Sequence, residues 1–134
     1  MAKTWSEKFR SGKPPHVEVM DKACFGLVPG QRLVILDPPT VDAAIREIPR
    51  GKSVPIADLR RELATAYDAD AACPISTGNF VRIAAEVALE QLAGGDSHDA
   101  VTPFWRVVDP GSPLAKKLSC GPDYLARLRQ AEGI

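Results

Sequence analysis

The longest periodic segment of the chain, residues 80–92, has the sequence FVRIAAEVALEQL. Its apolar side chains recur at helical spacing, which is typical of an amphipathic α-helix and excludes a strand. The apolar side comprises Phe80, Ile83, Ala84, Val87, Ala88 and Leu92, and the polar side comprises Arg82, Glu86 and Glu90. We therefore predict a long helix with an acidic exposed face, ended by Gly94-Gly95.

Two shorter stretches before this segment have the same spacing. Thr40 precedes one of them and is expected to cap a helix that ends at residues 49–51. A second helix is predicted over residues 56–66. The stripe of the first helix comprises Val41, Ala44, Ile45 and Ile48, and that of the second comprises Ile56, Leu59 and Leu63. Residues 67–77, which contain Pro74, are predicted to form a loop.

The remaining segments complete the expected architecture. Residues 104–108, FWRVV, predict a strand, and a final helix begins near Pro122 and ends at Gly133. Before residue 40 only residues 32–36 have strand character, and the rest is rich in turn residues. The predicted class is α+β, mostly α, with a loop and strand extension over residues 1–39 and a domain over residues 40–134. Two helices followed by a β segment indicate a winged helix-turn-helix.

The composition limits the kinds of protein that this chain can be. Its 134 residues are 45% hydrophobic and 25% charged, as expected of one globular domain with a packed core. No apolar run approaches the roughly 20 residues of a membrane helix, and the N-terminus is charged. We therefore expect a cytoplasmic protein without a membrane partner. The three cysteines form no CxxC pair, so reduced thiols, no metal site and no cofactor are expected.

Charge is balanced overall but uneven along the chain. Lys plus Arg and Asp plus Glu each total 17, so the whole molecule has no bulk field to attract nucleic acid. Residues 46–61 contain five basic and two acidic side chains, and residues 116–129 contain four and one, a net charge of +3 in each. Residues 62–99 contain one basic and seven acidic side chains, a net charge of −6. Acidic side chains near the long helix oppose docking into a DNA groove, except at residues 77–79.

Three short motifs occur in an informative order. Residues 48–54 are IPRGKSV, residues 102–108 are TPFWRVV, and the last helix closes in Glu132-Gly133. This order resembles the C-terminal DNA-binding domain of the O-6-alkylguanine-DNA alkyltransferases and the alkyltransferase-like proteins, over residues 41–134. The resemblance implies a winged-helix domain that binds damaged DNA.

The same resemblance implies that the chain has no alkyltransferase activity. The family carries Pro-Cys-His-Arg-Val at its active site, and here Pro103, Arg106 and Val107 match it. Phe104 occupies the position of the nucleophilic thiol and Trp105 that of the histidine base, while Glu132 matches the glutamate of the catalytic network. A phenyl ring cannot accept an alkyl group by displacement. The alkyltransferase-like proteins also lack the cysteine and bind alkylated bases without repairing them.

Binding residues follow from the resemblance and from local charge. Ile56 occupies the position of the tyrosine that rotates the target nucleotide, and Asn79 that of the arginine that fills the vacated stack. The expected contacts to phosphate are Arg50, Lys52, Arg60 and Arg61, and the expected pocket residues are Asn79, Phe104, Trp105 and Arg106. In a strand, Phe104 and Trp105 would face opposite sides, one in the core and one able to stack on a base. The expected partner is double-stranded or damaged DNA, or a repair or other protein.

Two alternative functions remain open. The acidic face of the long helix predicts a protein-interaction module that binds a basic partner and never touches DNA. The other alternative is an alkyl acceptor that uses Cys73 or Cys120. Cys120 lies ahead of a helix start, where the unpaired amides favour a thiolate. The sequence Ser97-His98-Asp99 is interpreted as a solvated loop, because consecutive residues cannot form a catalytic relay.

Overall fold

The computed structural model describes residues 4–10 and 12–134. Helices dominate these residues and a small sheet accompanies them, which confirms the α+β class. The elements are α1 (Trp5–Arg10), β1 (His16–Val19), β2 (Arg32–Ile35), α2 (Pro38–Arg46), α3 (Ile56–Ala66), β3 (Ala71–Ala72), α4 (Pro74–Ala93), the 3-10 turn Phe104–Arg106, α5 (Pro113–Lys117) and α6 (Gly121–Ala131). None of the helices in the described part of the chain has the length and apolar character needed to cross a membrane.

The three-stranded sheet joins the start of the chain to its middle. β2 is central, pairing antiparallel with β1 and parallel with β3, so that Val34 lies opposite both Val17 and Ala72. The strand expected over residues 32–36 is confirmed as β2, and Leu33 and Val34 are buried. β1 and α1 were not expected, because each is too short to show a clear period. Residues 16–19 and 32–35 thus share one sheet with residues 71–72.

The predicted helices are present, with changes at their starts. α3 spans the expected residues 56–66. α2 begins at Pro38, and its cap is Asp37, whose carboxylate accepts a hydrogen bond from the Thr40 amide at 3.0 Å. The prediction that Thr40 is the cap was therefore wrong, because two prolines, which suit a first turn, precede Thr40 in the helix.

α4 is longer than its apolar stripe indicated. It begins at Pro74, within the stretch predicted to be a loop, and β3 occupies residues 71–72 of that stretch. The loop over residues 67–77 was therefore largely wrong. Pro74 was interpreted as a breaker, but it stands at the first helical position, where a missing amide costs nothing.

The strand predicted over residues 104–108 is wrong. Residues 104–106 form a 3-10 turn, in which the Arg106 amide donates to the Pro103 carbonyl at 3.0 Å and the Val107 amide donates to the Phe104 carbonyl at 3.1 Å. As a result Phe104 and Trp105 do not alternate between two sides, and both are buried. Aromatic and β-branched residues favour strands mainly because strands bury them, and this turn buries them equally well.

α4 lies against α1, α2 and α3 and supplies much of the core. The exposed acidic face predicted for α4 is wrong. Glu86 is 4% exposed because it accepts hydrogen bonds from the Ser119 amide at 3.1 Å and the Ser119 hydroxyl at 2.7 Å. Arg82 is half-buried, with its guanidinium 5.2 Å from the Trp5 ring. Glu90 is the member of the stripe that is exposed.

Candidate functional site

The three motifs quoted above meet at one carboxylate, that of Glu132. Its Oε1 accepts hydrogen bonds from the Gly51 amide and Arg106 Nε, each at 2.9 Å. Its Oε2 accepts from Trp105 Nε1 at 2.6 Å and from Arg106 Nη2 at 3.0 Å. The four donors come from the loop after α2 and from the 104–106 turn, so the end of α6 ties two distant segments together.

These contacts fix the charge of Glu132, whose side chain is 5% exposed. Burial alone raises the pKa of this carboxyl group. The hydrogen bonds from Arg106, Gly51 and Trp105, together with the charge of Arg106, outweigh burial and lower the pKa from 4.5 to about 2. Glu132 is therefore an anion at neutral pH, and it is already saturated with donors.

Two arginines hold the backbone around the 104–106 turn. Arg106 Nη1 donates to the Ile48 carbonyl at 2.8 Å, and Arg129 Nη1 donates to the Trp105 carbonyl at 2.7 Å. Arg129 Nη2 also donates to the Ser53 hydroxyl at 3.1 Å. Arg106 thus donates hydrogen bonds to Glu132 and to Ile48. In this conformation its Nε and Nη2 atoms, which form the bidentate pair with Glu132, do not offer that pair to a phosphate.

The position that resembles the nucleophile is closed. Phe104 is 0% exposed, and its ring meets the Trp105 ring edge to face at a centroid distance of 5.3 Å. Trp105 is 2% exposed. Neither ring stands free as a platform for a base. Trp105 forms part of one wall of a cleft, and Phe104 does not line that cleft.

The cleft beside Trp105 has a volume of about 390 Å³ and is bordered by the 97–99 loop and by α6. His98 lies with its ring 5.9 Å from the Trp105 ring, and its Nε2 is 3.4 Å from the Tyr124 hydroxyl. Arg50, an expected phosphate contact, has its Nη1 3.8 Å from Asp99 Oδ1 at the rim. The 97–99 loop is exposed, but His98 contacts Trp105 and Tyr124. The loop therefore covers the Trp105 side of the residues around Glu132.

A second cavity, here called the α4 groove, lies at the start of α4. Its volume is about 270 Å³, and its lining residues are Ile56, Ile75, Gly78, Asn79, Arg82, Leu114 and Lys117. Ile56 and Asn79, assigned from the resemblance to the two base-flipping positions, line this one groove. Arg82 and Lys117 contribute positive charge, no carboxylate lines the groove, and the first turn of α4 carries no acidic residue.

The other basic residues expected to contact phosphate lie elsewhere. Arg60 and Arg61 line a cavity of about 250 Å³ between α3, β3 and the turn that contains Phe25. Lys52 is exposed in the loop after Gly51. The expected binding residues are therefore spread over separate surfaces. Trp105 and Arg106 contact Glu132, and Arg50 lies at the rim of the cleft beside Trp105. Asn79 lines the α4 groove, and Arg60 and Arg61 line the third cavity.

The cysteines lie outside the Trp105 cleft. Cys73 directly precedes α4 and is half-buried. Burial raises the pKa of Cys120 and outweighs a backbone hydrogen bond that lowers it, and the nearby charge of Glu86 adds a smaller increase. The expectation of a favoured thiolate at Cys120 was therefore wrong, because burial outweighs the helix start. Within residues 4–10 and 12–134 no three His, Cys, Asp or Glu side chains are grouped so as to hold a metal ion.

The sequence alone did not assign Phe25 and His98 to a binding site, and it indicated Lys117 only as one of the plausible phosphate contacts in the basic stretch 116–129. Phe25 and Lys117 line cavities that only the folded chain creates, and His98 contacts Trp105 across the cleft. The positive charge of residues 116–129 was a partial signal for Lys117. For Phe25 the signal was a Phe-Gly pair in a turn-rich segment. Comparisons of this chain with models of protein families, with curated proteins and with solved structures find no match.

Proposed function

We propose that this chain is a non-catalytic, alkyltransferase-like protein that binds DNA through the start of α4. In this proposal α3 and α4 are the two helices of a winged helix-turn-helix, and α4 is the helix that approaches the DNA. The role is to recognise alkylated or flipped bases in DNA repair without removing the alkyl group. The cytoplasm is the proposed location.

The Glu132 network supports the resemblance. Residues 51, 105, 106 and 132 lie in the three motifs that suggested the family, and their polar atoms meet at a single carboxylate. The network also supports the absence of catalysis, because Trp105 Nε1 is a donor only and cannot accept a proton from a thiol.

The α4 groove carries the DNA-binding part of the proposal. It combines Asn79, Arg82 and Lys117 with the exposed side chain of Ile75, and no carboxylate lines it. The unpaired amides of the first helical turn add partial positive charge that favours a phosphate. A phosphate backbone at this groove would therefore meet attractive charge on α4 and at the end of α5.

Because Glu86 is buried, the continuous exposed acidic face that opposed this mode is absent: its carboxylate accepts hydrogen bonds from Ser119 and does not line the α4 groove. Glu90, the exposed acid of the stripe, lies eleven residues beyond Asn79, or about 16 Å along the helix axis. That separation exceeds the Debye length of about 8 Å at physiological salt. The same burial removes the continuous acidic face that the protein-interaction alternative required.

The test is fluorescence anisotropy of a labelled duplex, with and without one O-6-methylguanine, over a series of salt concentrations. We expect binding at low salt that weakens as salt rises, and tighter binding to the alkylated duplex. Lys117→Glu should weaken binding by about tenfold, because it reverses one contact to phosphate. No binding at low salt, or binding without a salt dependence, would refute the proposal.

The matched control is Lys13→Glu, which changes the net charge by the same amount. Lys13 is exposed, lies ahead of β1 and does not line the α4 groove. We expect it to leave the affinity within about twofold of the wild-type value, because the bulk charge of a balanced protein contributes little. Equal losses in the two variants would mean that the α4 groove has no special role.

A further inference from the structure

The turn that contains Phe25 holds an aromatic residue in an unfavourable backbone conformation. The Cys24 and Leu27 backbones exchange hydrogen bonds at 3.0 and 2.8 Å, and the two residues between them have positive φ, 54° at Phe25 and 80° at Gly26. Positive φ at both central positions is the pattern of a type I′ turn, which favours Asn-Gly or Gly-Gly. A phenylalanine is strained there. Its side chain is nevertheless 41% exposed, so no burial in the core explains its presence.

An unpartnered guanidinium lies across the same cavity. Arg60 is half-buried on α3, and its Nε atom is buried with no hydrogen-bond partner among the described residues. Polar groups buried in this way are normally hydrogen-bonded, and a guanidinium suits planar anions such as a phosphate or carboxylate. Phe25 and Arg60 line one cavity, here called the Phe25–Arg60 pocket. The aromatic ring on the strained turn and the unpartnered cation can therefore contact the same ligand.

The remaining charges around this pocket favour an anion. Arg61 also lines it, and its ion pair with Asp58, at 3.2 Å, is exposed and therefore weak. Asp70 is the carboxylate in the lining, and its Oδ2 already accepts a hydrogen bond from the Arg32 amide at 2.8 Å. Two guanidinium groups thus face one engaged carboxylate. The pocket is also lined by small apolar side chains beside the cations, those of Ala57, Ala64, Ala71 and Ala72.

The pocket has room for one unit of a larger chain but is too small to enclose a whole drug-sized molecule. Its volume of about 250 Å³ is smaller than the roughly 300–1,000 Å³ of pockets that enclose a whole drug-sized molecule. An exposed aromatic ring beside arginines is the arrangement that single-stranded nucleic acids use, with a base on the ring and the phosphate on the cations.

We propose that the Phe25–Arg60 pocket binds one nucleotide of single-stranded DNA, with the base stacked on Phe25 and the phosphate on Arg60. The inference rests on the proposed function for the nature of the polymer, but it assigns the single strand to a surface other than the α4 groove. The strained turn then has a purpose, because an asparagine or glycine at position 25 would relax the backbone and lose the stacking surface.

The test is fluorescence anisotropy of the 134-residue chain with a labelled oligothymidylate and, separately, with a blunt duplex. We expect Phe25→Ala and Arg60→Gln each to weaken binding of the oligothymidylate by about tenfold, the usual loss of one stacked base or one charged contact. Binding of the duplex should stay within about twofold, because the α4 groove is intact. Unchanged affinity for the oligothymidylate in both variants would overturn the inference.

Matched controls separate a local effect from a general one. Val28→Ala removes an exposed apolar side chain from the same loop, and Arg127→Gln removes an arginine that already lies over the Tyr124 ring at 5.6 Å. Both should bind the oligothymidylate like the wild type. Circular dichroism of each variant checks that it is folded. Thymidine monophosphate carries the same base and phosphate and should compete for the pocket, but only at a much higher concentration than the strand, whose neighbouring phosphates add charged contacts. Equal potency of the two would overturn the assignment to a strand in favour of free nucleotides.

The outcomes distinguish this inference from the proposed function. Binding of the duplex with no effect of Phe25→Ala or Arg60→Gln on either probe refutes the nucleotide pocket alone. Binding of the oligothymidylate that depends on Phe25, with no binding of the duplex at low salt, refutes the α4 groove and supports the pocket. Failure of the wild-type chain to bind either probe refutes both.

Discussion

The Glu132 cluster and the Phe25–Arg60 pocket treat their charged groups in opposite ways. Both oxygens of Glu132 are paired with donors on buried or half-buried side chains and backbone, and the two aromatic rings beside them are closed to solvent. In the pocket, Arg60 keeps a buried Nε without a partner, and the neighbouring ring is exposed on a strained turn. Buried polar groups that have all their hydrogen-bond partners stabilise a fold, whereas a buried polar group without a partner is available to a ligand. The comparison indicates a structural role for the region that resembles a catalytic centre, and it favours the proposal that binding occurs elsewhere.

The largest expected effect in this comparison concerns the two phenylalanines. Phe104→Ala should lower the free energy of unfolding by about 3–5 kcal/mol, because it leaves a cavity in a fully packed core. Phe25→Ala should lower it by much less, about 1 kcal/mol, because Phe25 is 41% exposed and lies outside the core. Urea denaturation followed by tryptophan fluorescence measures both. A small loss for Phe104→Ala would mean that position 104 is not the closed site described above.

The next effect is the dependence of stability on pH through Glu132. The pKa of this group is lowered on folding, so its contribution is present above about pH 5 and is lost as the pH falls through about 2. We expect a loss of about 3 kcal/mol across that range, and a similar loss at pH 7 in Glu132→Gln. Glu90→Gln is the matched control, because Glu90 is exposed.

Glu132→Gln should also flatten the dependence of stability on pH. Urea denaturation of the wild type and of both variants at several pH values measures the difference. If Glu132→Gln kept the acid-induced loss of the wild type, then the hydrogen bonds from Arg106, Gly51 and Trp105 would not be what lowers the pKa.

A smaller effect of opposite sign is expected at the strained turn. Phe25→Asn should raise the free energy of unfolding by up to about 1 kcal/mol, because asparagine tolerates positive φ and the relief of backbone strain is expected to exceed the loss of the buried part of the phenyl ring. The same variant should bind the oligothymidylate more weakly. Thermal denaturation and anisotropy on one preparation measure both quantities. A loss of stability would mean that the Phe25 ring packs in a way that outweighs the backbone strain.

The smallest expected effect is none at all. After incubation with duplex DNA that contains O-6-methylguanine, the intact mass of the chain should be unchanged. Phe104 cannot accept the methyl group, and burial keeps Cys120 as a thiol. One added methyl group would restore the alternative in which Cys73 or Cys120 is the acceptor, and peptide mapping would identify which.

Local periodicity predicted most of the helices. The position of α3 followed from the spacing of Ile56, Leu59 and Leu63. This apolar stripe defines the buried face of the helix, and the proline before it marks where the helix starts. The sequence could not reveal that Glu86 is buried, since its partner Ser119 lies 33 residues away. The strand predicted at residues 104–108 failed for the same reason. The turn there is held by Glu132, Arg129 and Val54, which are distant in sequence.

The candidate site was predictable only as far as its motifs. Glu132, Trp105 and Arg106 were singled out as one degenerate site, and they lie in direct contact. Their saturation with hydrogen bonds depends on Gly51 and on the path of α6, which no spacing rule specifies. The Phe25–Arg60 pocket was beyond the sequence, because its two sides come from segments that only the sheet brings together.

Hydrogen exchange of backbone amides, with and without duplex DNA at low salt, tests the central claim most directly. The account predicts slower exchange on binding in the first turns of α4 and in α5, which border the α4 groove, and no change at residues 104–106. Slower exchange confined to the 104–106 turn and the 97–99 loop would contradict it. That result would place DNA at the cleft beside Trp105 and make the Glu132 cluster a binding site.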